Sequence, residues 1–391
     1  MPDKEKIQVI HFHNGGGGGT FIVVKNLLKF STNPAIENHV IYTINKKLTP
    51  HFEIPFIEGA ASQQIFYYSP KWNFYYTCRQ LAKLLPDERA VLVAHDWLEL
   101  GMVSNLGLQN PVVQLVHGNY DYYYELAKKH ERSIDRFITV SPVIYTNLCL
   151  QIPQRISDIH YCRFPVPEVV PVNKENEFLK IFYCVRRLDD ENKQFQLLPQ
   201  INSVLKIKGI NVHWTIVGLG MELKTVEKLM GQDIGVALFS SLNNEEVLNL
   251  LPAHDLFILP SLKEGFPASV VEAMKAGVVP LVSNWEGATD ELITDGRTGY
   301  YFETADVEGY ATTIAILNKD RSLLKRVAVD GIKKANDLFD PCLNTKNIEN
   351  VICEASTSCL FNKRPIRVYG SRLDKWWLPN IITNELRRVN Y

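Results

Sequence analysis

A chain of 391 residues is too long for one ordinary hydrophobic core and points to two domains, each large enough to bury a parallel sheet. Lys plus Arg number 42 against 43 Asp plus Glu, which excludes the global basic field that drives nucleic-acid binding, so an anionic ligand has to be held by local groups. Seven scattered cysteines without a C-x-x-C pair, a charged N-terminus leading directly into a strand pattern, and no apolar run near the ~20 residues that span a bilayer together predict a cytoplasmic protein with reduced thiols.

In chain order, short apolar runs alternate with amphipathic stretches: a strand at 7–13, a helix at 20–30, and strands at 39–44, 90–95, 112–117 and 136–140. That rhythm is the one of β-α-β units and predicts an α/β fold with parallel sheets. The joint between the first strand and first helix is Asn14, five glycines at 15–19, and Thr20. Glycines there let backbone N–H groups approach a phosphate at a positive helix end, and a merely flexible loop is the competing reading. Neither G-x-x-x-x-G-K-[ST] nor G-x-G-x-x-G is satisfied, which counts against NTPase and dinucleotide sites. His95 with Asp96, and His117 with Gly118, fall at strand C-terminal ends, where ligands of open α/β sheets bind. The aromatics Tyr67, Tyr68, Trp72, Tyr75, Tyr76 and Tyr120 to Tyr124 fit either core packing or contact with a sugar ring or lipid.

Three prolines within 164–172 predict an extended connector and a domain boundary. Strands are then expected at 179–185, 212–218, 236–240, 255–260 and 278–283, with helices at 194–208, 268–276 and 307–318. After the first of these strands, Arg187 and Lys193 lie six apart in a strand-to-helix loop and can both address one diphosphate, although Asp189, Asp190 and Glu191 also allow a solvated charged turn. The stretch 260–277 is the most informative. Pro267 suits a helix start, Gly277 its end, and Val270, Val271 and Met274 a buried face, which puts Glu264 in the loop and Glu272 in the second helical turn. The N–H groups of Gly265, Phe266 and the helix start are then available to hydroxyls or phosphate, whereas a plain reading makes Glu264 a helix-start acid and Glu272 a surface residue. The basic tail carries Trp376, Trp377, Leu378, Ile381 and Ile382 and is expected to pack on the body of the protein, with an interfacial membrane anchor as the alternative.

Taken together, Gly18 and Gly19, His117 and Gly118, Arg187 with Lys193, the run Gly218 to Glu222, Glu264 to Glu272, and Glu291 through Asp295 and Gly296 to Thr298 and Gly299 resemble the GT-B glycosyltransferases of family 4, retaining enzymes that use nucleotide sugars. Arg186 and Gln194 stand where such proteins usually carry Gly, and Gly118 replaces a frequent Asp. The resemblance implies two Rossmann-like domains facing each other across a cleft: 1–168 for the acceptor, with the tail 370–391 crossing back onto it, and 169–369 for the nucleotide sugar. It implies a hexose-type sugar transferred from a UDP- or GDP-linked donor, without metal or other cofactor, to a hydroxyl of a glycan, lipid-linked or small-molecule acceptor in bacterial polysaccharide or glycoconjugate synthesis. Donor contacts would come from Gly18, Gly19, Arg187, Lys193, Gly218, Glu264, Gly265, Phe266 and Glu272. The catalytic set would be His117, Glu264, Arg187 and Lys193, with His95, Asp96 and Tyr120 toward the acceptor. The absence of any Asp-x-Asp agrees with a metal-independent reaction. Partners would be limited to these substrates, with peripheral contact at the inner face of the membrane as an option. An epimerase or phosphorylase on the same architecture, or a non-catalytic binding partner, is the rival reading.

Overall fold

The computed structural model describes residues 6–16, 18–49, 51–86, 89–174, 177–221, 223–230, 236–239, 242–285, 287–357 and 363–389. Gly17, Glu222, Ser240 and Cys359, each part of an expectation above, lie outside them. Two compact units emerge: Met1–Pro165 with Pro341–Tyr391, and Val166–Asp340.

The first unit holds seven strands, β1 (Ile7–His13), β2 (Ile36–Asn45), β3 (Ser62–Tyr68), β4 (Val91–Ala94), β5 (Val112–Val116), β6 (Arg136–Thr139) and β7 (Ile159–Tyr161). All pairings are parallel, and the spatial order is β3-β2-β1-β4-β5-β6-β7. The β-branched runs of β4 and β5 are buried on both faces, as a sheet covered by helices on each side requires. The second unit has β8 (Leu179–Arg187), β9 (Val212–Leu219), β10 (Val236–Phe239), β11 (Leu256–Leu259), β12 (Val279–Ser283) and β13 (Tyr300–Phe302), again parallel, in the order β10-β9-β8-β11-β12-β13. Its core joins Tyr183, Trp214, Phe257, Val271, Leu281 and Tyr310.

Both sheets reverse their winding at one point, between β1 and β4 in the first and between β8 and β11 in the second. Loops leaving the strand ends on either side of such a reversal diverge and leave a crevice there. The glycine run follows β1, His95 follows β4, the Arg187–Lys193 loop follows β8, and Glu264 follows β11. The predicted cationic and acidic loops are therefore neighbours in the second sheet although 71 residues separate Lys193 from Glu264.

Three strands were not anticipated: β3, whose aromatic end reads equally as a cluster, and the three-residue β7 and β13, too short to show a period. The helix expected from 194 begins at Leu197, because Gln194 takes a left-handed conformation, φ 51°, that interrupts it. Pro267 sits at the N-cap of the helix Ala268–Lys275 instead of in its first turn. Gly277 does end that helix, at φ 70°.

The two units part at Pro165 and Val166, against an expected boundary after 168, and the chain returns to the first unit at Pro341, where 370 was expected. The helix Pro341–Thr357 is the reason. Ile348 and Ile352 are buried, Asn344 donates to the Phe164 carbonyl at 3.2 Å, and Ser31 donates to Glu349 at 2.5 Å, all within the first unit. No helix among the described residues is long and apolar enough to cross a membrane.

Candidate functional site

In the second unit the site is assembled by two loops stitched together at the carboxyl ends of β8 and β11. Asn192 does the stitching: its carbonyl accepts from Leu262 N at 2.9 Å, its Oδ1 from Lys263 N at 3.0 Å, and its Nδ2 donates to the Lys263 carbonyl at 3.0 Å. Tyr183, on β8, donates its hydroxyl to the Lys193 carbonyl at 3.0 Å and so fixes the loop from below. Gln194 closes the turn, its Nε2 donating to the Glu191 carbonyl at 2.7 Å while the backbone stays left-handed. The position that a glycine would fill at no steric cost is thus occupied by a residue that can brace the turn.

These restraints deliver Lys193 Nζ to 2.7 Å from Glu264 Oε1, both side chains being largely shielded. Arg187 goes elsewhere. It forms a two-point pair with Asp189, Nε to Oδ1 at 2.9 Å and Nη2 to Oδ2 at 2.6 Å, and remains 62% exposed. The hydrogen bond and charge of Asp189 push the guanidinium up, and those of Arg187 hold the Asp189 carboxyl below its ordinary value. The two cations read as one diphosphate clamp are therefore each matched with a separate acid.

Glu272 occupies the second turn of Ala268–Lys275, as predicted, but is no surface residue: it is 5% exposed among buried Val270, Val271 and Ala273. Its protein partner is Asn244 Nδ2, donating to Oε1 at 3.4 Å. Burial raises its carboxyl above the usual range, with the Asn244 hydrogen bond pulling the other way. Gly265 and Pro267 are buried and Phe266, partly buried, packs its ring at a tilt against Phe339 with centroids 5.4 Å apart. Gly218 packs too tightly for a side chain, since a Cβ there would lie 2.9 Å from Leu188 and from the Val185 carbonyl.

In the first unit the glycine turn is internally bonded. Asn14 donates to Asp96 Oδ2 at 3.1 Å, Gly16 N to Asn14 Oδ1 at 3.0 Å and Gly15 N to His13 Nδ1 at 3.0 Å. Gly18 is the N-cap of Gly19–Lys29, and a side chain at Gly19 would meet nothing within 4 Å. His117 shares a 2.7 Å hydrogen bond with His95, Nε2 to Nδ1, their rings stacked with centroids 5.0 Å apart. Burial, then the charge of His13, pulls His117 down to about 3, and burial pulls His11 down to about 4. Asp96 accepts from the Tyr122 hydroxyl, while Tyr120 is the N-cap of the helix Asp121–His130. The structure thus joins His95 to His117 and Asp96 to the glycine turn.

Sequence reasoning missed three members of this cluster. His11 and His13, two apart on β1, are both buried, and Glu99 Oε1 accepts from His95 N at 2.8 Å and Asp96 N at 2.6 Å. An H-x-H pattern running into a glycine turn was the available signal. Of the predicted aromatics, Tyr68 and Trp72 join Phe74, Trp97 and Tyr369, which were not singled out, around a cavity of about 170 Å³ edged by Asp374 and Arg387. The six described cysteines are free, and no group of three or more His, Cys, Asp or Glu with metal-binding spacing occurs among the described residues.

Residues 167–334 match the family described as glycosyl transferases group 1, nearly the whole second unit. Over 90 residues the chain is 34% identical to N,N'-diacetylbacillosaminyl-diphospho-undecaprenol alpha-1,3-N-acetylgalactosaminyltransferase of Campylobacter jejuni, covering 23% of this chain and 24% of that one. It is 24% identical over 235 residues to MMP alpha-(1->4)-mannosyltransferase of Mycolicibacterium hassiacum, 59% of this chain and 56% of that one. The chain therefore spans between a quarter and about half the length of these curated relatives. Among solved structures, HepE of Anabaena in complex with UDP and glucose superposes with a TM-score of 0.68 at 15% identity, covering 89% of this chain and 100% of that one. The fold is accordingly GT-B, two Rossmann-like units in one chain.

Proposed function

We propose that the protein, whose residues 167–334 match the glycosyl transferases group 1 family, is a retaining glycosyltransferase that moves a hexose-type sugar from a UDP- or GDP-linked donor to a hydroxyl of a glycan, lipid-linked or small-molecule acceptor. The names of the relatives, which include an N-acetylgalactosaminyltransferase acting on a sugar linked to diphospho-undecaprenol, favour bacterial polysaccharide or glycoconjugate synthesis. The observation that carries the reading is Glu272, a carboxylate buried with one long hydrogen bond among the described residues, on the helix that follows the Lys193–Glu264 pair.

Cleaving the bond between the anomeric carbon and the diphosphate leaves positive charge on the sugar and negative charge on the leaving group. Lys193 and Arg187 would meet the diphosphate, each exchanging part of its present carboxylate contact for phosphate oxygens. Glu264 with the backbone at Gly265 and Phe266 would hold the sugar hydroxyls, and Glu272 the ribose. Gly218 keeps β9 close enough for the loop after β8 to reach the donor. The acceptor oxygen would attack the face the diphosphate leaves, its proton passing to a phosphate oxygen, so configuration is retained without a metal ion. Gly18, Gly19 and His117 are assigned to the reacting end, and His95, Asp96 and Tyr120 to the acceptor. His117, neutral at any working pH, is suited to accept or donate one hydrogen bond to the sugar rather than to carry charge.

Substituting Lys193→Ala or Arg187→Ala removes a contact strongest in the transition state and should lower kcat on the order of 10²-fold. The assay is turnover with the nucleotide sugar that gives the largest thermal shift in a panel, run with and without EDTA. Near-normal turnover in either variant overturns the diphosphate assignment, and loss of activity in EDTA restored by added metal overturns the metal-free mechanism.

A further inference from the structure

The helix Asn380–Val389 is set with its polar side toward the protein. Asn380, Thr383 and Arg387, at i, i+3 and i+7, form one stripe, and each is tied to the first unit. Asn380 Oδ1 accepts from Asn73 N at 2.7 Å, Thr383 is fully buried with Oγ1 3.5 Å from Asn73 Nδ2, and Arg387 binds Asp374 at 2.6 Å and the Trp72 carbonyl at 2.5 Å. Asn73 also donates to the carbonyls of Lys375 and Leu378 at 3.0 and 2.9 Å, pinning the turn before the helix. The outward side carries exposed apolar residues beside the exposed Glu385–Arg388 pair: Ile381, Ile382 and Leu386 are 72%, 45% and 44% exposed, and the turn adds Trp376 at 68% and Trp377 at 62%.

A helix docked on a globular protein normally buries its apolar stripe. This one is held in the reverse sense by charge-assisted and backbone hydrogen bonds, so much of its apolar surface stays exposed and marks an interaction surface. Charge selects the occupant. Residues 363–389 contain seven Lys and Arg against two Asp and Glu. Lys363 is matched with Asp135, Arg387 with Asp374 and Arg388 with Glu385, which leaves Arg364, Arg367, Arg372 and Lys375 as net positive charge in the segment that leads into Trp376, Trp377 and the helix. Two copies of this face would repel each other, whereas an anionic headgroup layer over hydrocarbon matches both the charge and the Trp and Ile side chains.

We propose that the outward face of Asn380–Val389, with Trp376 and Trp377, docks the protein onto the surface of an anionic lipid bilayer without spanning it. This surface lies wholly in the first unit and stands independently of the assigned reaction.

The test is flotation of the full chain with phosphatidylcholine vesicles, with and without phosphatidylglycerol, alongside the variant Trp376→Ser/Trp377→Ser/Ile381→Ser. These side chains point away from the protein, so the melting temperature of the variant should equal that of the parent. The parent should float with the anionic vesicles, weakly with neutral ones, with Trp fluorescence shifted to the blue. The variant should lose at least tenfold in vesicle partitioning, and raised salt should weaken the parent. Equal partitioning of parent and variant, or no partitioning of the parent, overturns the proposal. A parent that stays with the aqueous phase but forms a dimer abolished by the three substitutions also overturns it, in favour of a second copy as the occupant.

Discussion

Glu272 costs the protein stability for as long as its donor among the described residues is Asn244 at 3.4 Å, because a carboxylate withdrawn from water needs better partners than one long hydrogen bond. Glu272→Gln keeps the shape and the hydrogen bond while removing the charge. The melting temperature should therefore rise, while affinity for the nucleoside diphosphate of the donor should fall by about tenfold or more, since a charged acceptor is worth about 1.5–3 kcal/mol per hydrogen bond to hydroxyls. Differential scanning fluorimetry and titration calorimetry on the same samples check both, and a lower melting temperature with unchanged affinity refutes the ribose assignment. The position of Glu272 was legible in the sequence because the apolar spacing of Val270, Val271 and Met274 fixes a helix phase. The pairing of Lys193 was not, since it depends on two loops 71 residues apart being brought side by side, nor was that of Arg187, whose fork is taken by the acid two residues on.

Strand ends account for what the elements contribute. β1, β4 and β5 are adjacent in the sheet and bring His11, His13, His95 and His117 together at one edge. Burial depresses His11 and His117 to about 4 and about 3, and burial, with help from its histidine neighbours, holds His95 well below its ordinary value. In the unfolded chain each imidazole takes up a proton near pH 6.5, so between that value and about pH 4 the unfolded state binds more protons than the folded one. The stability these groups lend is complete above pH 6.5 and drains away as pH falls, each contributing up to about 1.4 kcal/mol per pH unit. Glu99 acts oppositely: raised to about 8 by burial and by Asp96, it makes the folded state the stronger proton binder between its ordinary value and pH 8. Urea midpoints measured from pH 7 to 5 should fall, the depressed histidines, which also include His130 at about 4, outweighing the raised carboxyls of Glu99, Glu272 and Glu349, and His95→Gln should flatten the slope. A midpoint rising over that interval contradicts it. The period-two pattern revealed β1, β4 and β5 without revealing this cluster, because strand prediction says which residues alternate and is silent about which strands lie side by side.

At the scale of the molecule the chain leaves the first unit at Pro165 and re-enters it at Pro341, so Val166–Asp340 is an insertion with a core of its own. Sequence reading found the restart of the β-α rhythm but placed the return at 370, because the helix Pro341–Thr357 carries no sign of which core its buried Ile348 and Ile352 belong to. If the donor is held mainly by the insertion, a nucleoside diphosphate should stabilise that unit and leave the other little changed, since a ligand raises only the opening free energies of states that release it. At a concentration of 100 times Kd the gain is about 2.7 kcal/mol, a slowing of amide exchange on the order of 100-fold for the slowest amides of β8, β9 and β11. Hydrogen exchange followed by mass spectrometry resolves this peptide by peptide. Protection should centre on 183–194 and 260–277 and spread through 166–340, while peptides of β4, β5 and Pro341–Thr357 keep their rates. Protection confined to the glycine turn 14–20, with the loops after β8 and β11 unchanged, would transfer the diphosphate to the first unit and leave Lys193, Glu264 and Glu272 without the role assigned to them.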